Sequence, residues 1–124
     1  MVVVATDGGS SSNEPSAAGT DAPRDVYAWG WGRLGQLGTG GWSDELSPVL
    51  VKALRSLGVR KLRLGGRHSL ALCAGGRVYA WGKDDDGQLG LGAQGARCVP
   101  TLVQALVHDD PSFELDVIDA SCGW

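Results

Sequence analysis

The chain has 124 residues, 43% of them hydrophobic, and a formal net charge of -3. That length suits one ordinary domain, and that apolar share excludes a chain disordered throughout. Its 20 glycines exclude a long-helix bundle, because each interior glycine costs ~1 kcal/mol against alanine, and fit a loop-rich β protein instead.

Residues 1–25 read as a disordered, flexible tail. After Met1-Val2-Val3-Val4-Ala5 the segment holds small, polar and acidic residues with nothing to offset the entropy of ordering. Those first five residues are too short, and lack the basic start, for a secretory leader. The character changes at Val26. Val26-Tyr27-Ala28-Trp29-Gly30 returns as Val78-Tyr79-Ala80-Trp81-Gly82, a shift of 52 residues. The same shift carries Gly35-Gln36-Leu37-Gly38 onto Gly87-Gln88-Leu89-Gly90, Pro48 onto Pro100 and Leu50-Val51 onto Leu102-Val103. Positions 26–54 hold 15 identities in 29, where average residue usage gives about two by chance. The repeat continues at a shift of 58, from Val59-x-x-Leu62-x-Leu64-Gly65 to Val117-x-x-Ala120-x-Cys122-Gly123. Six extra residues are therefore expected within 108–114. The repeats run over 26–77 and 78–124, the latter including the truncated start of a third.

A period near 50 residues belongs to propellers and other arrays. Within it, residues 69–73 and 77–81 read as a β-hairpin around the short turn Ala74-Gly75-Gly76. Segments 46–54 and 99–106 each hold a strand, the former with a helical turn over 52–57. Gly87–Gly92 is too rich in glycine for a helix and reads as a compact loop. No apolar run approaches the ~20 residues of a membrane-spanning helix.

Several motifs have spacings that chemistry could use. Gly30-Trp31-Gly32-Arg33-Leu34-Gly35 has G-x-G-x-x-G spacing, but a dinucleotide site needs a helix next, and Gly38, Gly40 and Gly41 oppose one. A tight turn is the better reading. Asp84-Asp85-Asp86-Gly87 sets its acids side by side, whereas a calcium loop alternates them. The cluster reads as a solvated loop tip, with a protein contact as its functional alternative. His68 and Ser69 point to opposite faces of a strand and have no third orienting residue, so no catalytic residue is expected. Cys73, Cys98 and Cys122 form an odd set without paired spacing, against both a disulfide framework and a metal site. A reducing compartment, cytoplasm or nucleus, follows.

Trp29 and Trp81 occupy equivalent repeat positions and read as packing residues. Trp31, Trp42 and Trp124 are not repeated, and tryptophan is enriched at binding hot spots. With Arg33, Asp84, Asp85 and Asp86 they are the candidate partner contacts. Charge is uneven: net -3 over 1–25, +5 over 26–107 and -5 over 108–124. The basic stretch from Lys52 to Arg67 is weaker than the patch of a dedicated DNA binder, so direct DNA binding is not expected.

The strings VYAWGWGRLGQLGTG (26–40), VYAWGKDDDGQLGLG (78–92) and GGRHSLAL (65–72) resemble the regulator of chromosome condensation repeat. The resemblance covers residues 26–124. It implies an all-β fold, part of a propeller of about seven four-stranded blades, of which this chain would be a piece holding about two. It makes Trp29, Gly30, Gly35, Gln36, Gly38, Gly65, His68, Ser69, Trp81, Gly82, Gly87, Gln88 and Gly90 structural positions, with His68-Ser69 holding a blade corner. The function it implies is a protein-interaction or regulatory module without chemistry of its own. Its partner would be another protein, such as a small GTPase or a chromatin protein, with no cofactor, small-molecule substrate or membrane. Two alternatives stand beside it. One is guanine-nucleotide exchange on a Ran-like small GTPase, whose exchange residues come from several blades and are assigned to none here. The other is a homodimer like the family's ultraviolet-B photoreceptors. Their Gly-Trp-Arg-His-Thr motif reads Gly65-Gly66-Arg67-His68-Ser69 in this chain.

Overall fold

The computed structural model describes residues 2–7, 24–92, 95–106 and 120–123. Its strands are β1 (Val2–Asp7), β2 (Arg24–Gly30), β3 (Glu45–Leu50), β4 (Val59–Leu64), β5 (His68–Cys73), β6 (Val78–Gly82) and β7 (Arg97–Leu102). They form two antiparallel sheets, ordered β1-β2-β3 and β4-β5-β6-β7. Short 3-10 turns at Lys52–Leu54, Ala74–Gly76 and Gln104–Leu106 are the helical elements among the described residues. None is long and apolar enough to cross a membrane. The fold is all-β, as the glycine content and the period imply.

The sequence repeat and the sheet are out of phase. The second sheet takes β4 and β5 from residues 26–77 and β6 and β7 from residues 78–124. β5 and β6 form the expected hairpin, with Leu72 opposite Val78. Gly75 and Gly76, at φ 76 and 71, make its turn, a conformation that L side chains adopt only with strain. The two repeats also share their fine geometry. Tyr27 pairs with Leu50 as Tyr79 pairs with Leu102, and both pairings shift register just beyond, at Ala28–Gly30 and Ala80–Gly82. Val51 N donates to Val26 O at 2.8 Å, and Val103 N to Val78 O at 2.9 Å.

Val2–Asp7, read from sequence as part of the tail, is a strand. It pairs along its length with β2, from Val2 opposite Trp29 to Asp7 opposite Arg24. Its three consecutive valines suit an extended chain. What the local sequence does not display is the partner edge of β2, which gives the backbone groups of β1 their hydrogen bonds. By register β1 stands where β5 stands in the second sheet: Val2 faces Trp29 as Ser69 faces Trp81. The rest of the expected tail, residues 8–23, and the expected insertion at 108–114 lie outside the described residues.

Alternation along the strands builds two cores. In the first, Val26, Ala28, Leu37, Val51 and Leu54 meet Val59, Ala71, Cys73 and Trp81, so this core lies between the sheets. The second, on the other face of the second sheet, holds Leu72, Val78, Ala80, Leu89 and Val103. Val78, Ala80, Leu89 and Val103 are the repeat mates of Val26, Ala28, Leu37 and Val51. Each repeat therefore presents the same forward face. Among the described residues, only the first of these faces has another sheet packed on it.

Candidate functional site

The junction between the sheets is built around one carbonyl. Gly35, Gln36, Leu37 and Gly38 form a buried turn, closed by Gly38 N donating to Gly35 O at 3.1 Å. From the second sheet, Ser69 Oγ donates to Gln36 O at 3.0 Å and Trp81 Nε1 donates to the same oxygen at 2.9 Å. Two lone pairs of this carbonyl thus take two donors. The Gln36 side chain folds back, its Oε1 accepting from Leu34 N at 2.9 Å. Gly38 must be glycine, because a Cβ there would stand 2.8 Å from Trp81 Nε1. β7 adds one more tie, Gly40 N to Cys98 O at 2.9 Å.

His68 closes the neighbouring turn. Gly65 N donates to His68 O at 2.9 Å, and a Cβ on Gly65 would lie 2.9 Å from His68 Cε1. Burial holds the His68 imidazole below its ordinary pKa, and its buried Nδ1 has no hydrogen-bond partner among the described residues. Residues 120–123 run beside β4. Arg63 Nε donates to Ala120 O at 3.0 Å, and Cys122 Sγ to Arg63 O at 3.3 Å. Burial pushes the Cys73 thiol up to about 11 and also raises that of Cys122, which makes both poor nucleophiles. Among the described residues, no cluster of three His, Cys, Asp or Glu side chains could hold a metal ion.

Three exposed candidates, Trp31, Arg33 and Trp42, lie on the β2–β3 loop. Trp31 is 76% exposed and Trp42 49%. Gly32 pins the loop between them. Its N–H donates to Asp44 Oδ1 at 2.9 Å, and a Cβ on it would overlap Ser43 O. Two stretches of the loop therefore touch backbone to backbone, each one residue from a tryptophan. Arg33, well exposed, pairs with Asp44 at 3.3 Å. The equivalent β6–β7 loop has other chemistry. Lys83 stands in place of Trp31, Asp85 in place of Arg33 and Gln94 in place of Trp42. Lys83 Nζ lies 3.5 Å from Asp85 Oδ2. Both loops lie at the end of the sheets that carries the 65–67 turn, where Lys83 N donates to Arg67 O at 2.9 Å.

One of the acidic contacts is corrected. Asp84 is buried, not solvated at a loop tip. Its Oδ1 accepts from Leu89 N at 3.1 Å. A short carboxylate at this position turns inward to satisfy the backbone of its own loop, so contiguity in sequence hid a change of side. Asp85 and Asp86 are exposed. Trp124 lies outside the described residues. Of the repeat positions, Trp81 is buried and Trp29 half-buried, and Gly30, Gly82, Gly87 and Gly90 all have positive φ. Gln88 repeats the fold-back of Gln36, accepting from Asp86 N at 2.9 Å. The single-carbonyl lock at Gln36 was missed by sequence reasoning. Its signal was the joint recurrence of Gly-Gln-Leu-Gly and Trp at one shift.

Adjacent antiparallel sheets, packed face to face and tied through a recurring Gly-Gln-Leu-Gly turn, define a propeller repeat protein. The family model described as "Regulator of chromosome condensation (RCC1) repeat" matches residues 25–72 and 75–124, and a second model of that description matches 59–88. The chain belongs to the RCC1 repeat family. It is 42% identical over 81 residues to the ultraviolet-B receptor UVR8 of Arabidopsis thaliana, covering 65% of this chain and 18% of the receptor. Human WBSCR16 superposes with a TM-score of 0.58 at 30% identity, covering 63% of this chain and 20% of that one. Prp20p of Saccharomyces cerevisiae, studied for its binding to Gsp1p and histones, gives 0.56 at 21% identity, over 64% of this chain and 21% of its own, a likeness of fold. The chain thus spans about a fifth of the length of these relatives.

Proposed function

We propose that residues 26–124, as repeats 26–77 and 78–124, are a protein-docking part of a regulatory propeller, and that the β2–β3 loop is its contact surface. The observation that carries this reading is the exposure of two tryptophans, Trp31 and Trp42, on one loop that is pinned backbone to backbone at Gly32 and Ser43, with Arg33 exposed on the same loop. Tryptophan and arginine dominate binding hot spots because they bury large areas and satisfy polar groups at once. Neither tryptophan supports the junction, so packing does not explain them. Asp85 and Asp86 on the next loop add a charged margin.

The partner is a protein of the kind that Prp20p is described with, a small GTPase or a histone-containing chromatin protein, met in the nucleus or the cytoplasm. The mode of action is differential binding. A surface that prefers one conformation of its partner shifts that partner's population without making or breaking bonds. With a GTPase as partner, the preferred form would be the nucleotide-free one, and binding would speed nucleotide release.

The test is direct binding of the 124-residue chain to a Ran-type GTPase and to histone dimers, for the native sequence and for Trp31→Ala/Trp42→Ala. The double substitution should weaken binding by at least ~30-fold, the effect of one hot spot, with the near-ultraviolet dichroism of Trp81 preserved. Equal affinity of the two proteins would refute the loop as the contact. Failure of the native chain to bind either partner would refute the partner class.

A further inference from the structure

β3 is an edge strand of the first sheet, with β2 as its one neighbour there. The ladder holds at Tyr27 opposite Leu50 and at Ala28 opposite Val49, then resumes at Gly30 opposite Glu45. Leu46, Ser47 and Pro48 therefore stand against Trp29 alone, and the strand bulges. A regular strand turns alternate side chains to opposite faces. Here all three are exposed, Leu46 at 99%. The second sheet bulges in the same way, with Cys98, Val99 and Pro100 between the Gly82–Arg97 and Ala80–Thr101 pairs. Proline belongs to both bulges, where its missing N–H costs no ladder bond. The residue before it does not repeat: it is Ser47 in the first and Val99 in the second. The fold thus has no need of a hydroxyl at this position. Nor does exposure here depend on the absence of a neighbour. Val99 is still 43% exposed although the 35–40 loop packs beside it, with Gly40 N donating to Cys98 O at 2.9 Å. Residues 8–23 join Asp7 to Arg24, at the opposite end of the β1–β2 ladder from Trp29, and 107–119 lead to Ala120 beside β4 of the other sheet.

Pro48 gives this serine its chemistry. Its ring bars the preceding residue from helical backbone, which holds Ser47 extended. It also removes the N–H that any other residue would carry at that place. A protein kinase takes its acceptor segment as an extended chain. A kinase cleft with no acceptor for the nitrogen after the serine selects proline, because every other residue would leave a desolvated N–H unpaired. Among the serines and threonines of the chain, only Ser47 precedes a proline. We infer that Ser47 is a phosphoryl-acceptor site for a proline-directed protein kinase. Ser47 Oγ attacks the γ-phosphorus of ATP. The Oγ–P bond forms, the bond from that phosphorus to the β–γ bridging oxygen breaks, and ADP leaves. The hydroxyl proton passes to the catalytic aspartate of the kinase. The product adds a charge of about -1.5 to -2 to a segment that Asp44 and Glu45 already make acidic. Charge at that density opposes the addition of a further strand to the β3 edge. The proposal is independent of the β2–β3 loop contact, because phosphoryl transfer is read on the chain alone, without that partner.

Incubation of the 124-residue chain with Mg-ATP and a purified proline-directed kinase of the mitogen-activated class tests it, with the phosphate located by fragment mass spectrometry. Phosphate on Ser47 is expected. The free peptide 42–52 is the reference substrate. The folded chain should be phosphorylated with kcat/KM within about ten-fold of the peptide, because an exposed edge is reached without global unfolding. A larger deficit, or no transfer to either, would overturn the proposal. Ser47→Ala should remove this phosphate and Ser47→Thr should keep it. Pro48→Ala should lower kcat/KM at least ~10-fold, the effect of one unpaired N–H. A phosphate that maps to another residue instead, or a rate unchanged in Pro48→Ala, would likewise overturn it. The double variant Ser47→Ala/Val99→Ser carries the motif to the other bulge, beside the 35–40 loop, and should take phosphate there. Its refusal would overturn the claim that the position stays accessible beside a neighbour. Far-ultraviolet dichroism checks that each variant is folded.

Discussion

Gly35–Gly38 and Gly87–Gly90 have the same four residues and the same closing hydrogen bond, yet the first turn is buried throughout, under Trp81, whereas both glycines of the second are exposed. The difference lies wholly in the neighbour. Local sequence shapes the turn, with glycine at the positive φ positions and the glutamine amide folded onto its own backbone. Packing by the next sheet then turns a solvated carbonyl into the acceptor of two cross-sheet bonds. A repeat of this kind is complete in conformation before it is complete in stability.

That contrast can be broken most severely at its tryptophans. Trp81→Ala should destabilise the chain by ~3–5 kcal/mol, the usual loss for a fully buried large aromatic. Trp29→Ala, at its half-buried mate, should cost less than half as much in dilute protein. Urea unfolding of both variants measures the gap, and equal losses would show that the two positions are energetically alike. The glycines sharpen the point. Gly38→Ala and Gly90→Ala share the strain of positive φ, about 1 kcal/mol. Only Gly38→Ala also drives a methyl group into the Trp81 indole, adding ~1–3 kcal/mol of overpacking. The difference between the two melting curves isolates the neighbour from the turn.

Smaller effects come from the hydrogen bonds and from His68. Ser69→Ala leaves Gln36 O with one donor from the second sheet and should cost ~1 kcal/mol. Trp81→Phe removes the other donor and should cost a similar amount in addition to any packing loss. The double variant tests whether the two donors act together. His68 sets a pH dependence. Burial lowers its folded pKa below the unfolded value of ~6.5, so folding disfavours the imidazolium. Its contribution is intact above pH ~6.5 and declines as pH falls from there toward the folded pKa, because the unfolded chain binds the proton first. His68→Gln should flatten that part of the stability profile. A native profile that rises on acidification through this range would contradict the assignment.

Much of the fold was legible because the sequence writes its pattern twice. The shift of 52 located β2 with β6 and β3 with β7, and Ala74-Gly75-Gly76 marked the hairpin. β1 was not legible. A short run of valines ahead of small and polar residues carries no local sign of its partner, and pairing with the edge of β2 is a long-range event. The candidate site divides in the same way. Trp31 and Trp42 announced themselves by breaking the repeat, and both are exposed. Asp84 looked like its neighbours Asp85 and Asp86, and only the path of the loop back to Leu89 N separates a buried cap from two solvated acids. The joint recurrence of Gly-Gln-Leu-Gly and Trp at one shift marks these positions as linked, but not the double use of Gln36 O, since a backbone carbonyl has no letter in the sequence.

The central claim is that Trp81 and Gln36 lock one sheet to the next. Hydrogen exchange of the tryptophan indole N–H groups, followed by NMR on dilute protein with signals assigned by single Trp→Phe replacements, tests it most directly. The Trp81 indole should exchange at least ~100-fold more slowly than those of Trp31 and Trp42, because it is buried and bonded and opens only with the junction. Exchange of Trp81 at the rate of the two exposed indoles would mean that the sheets are not locked there, and the account of the junction would fail.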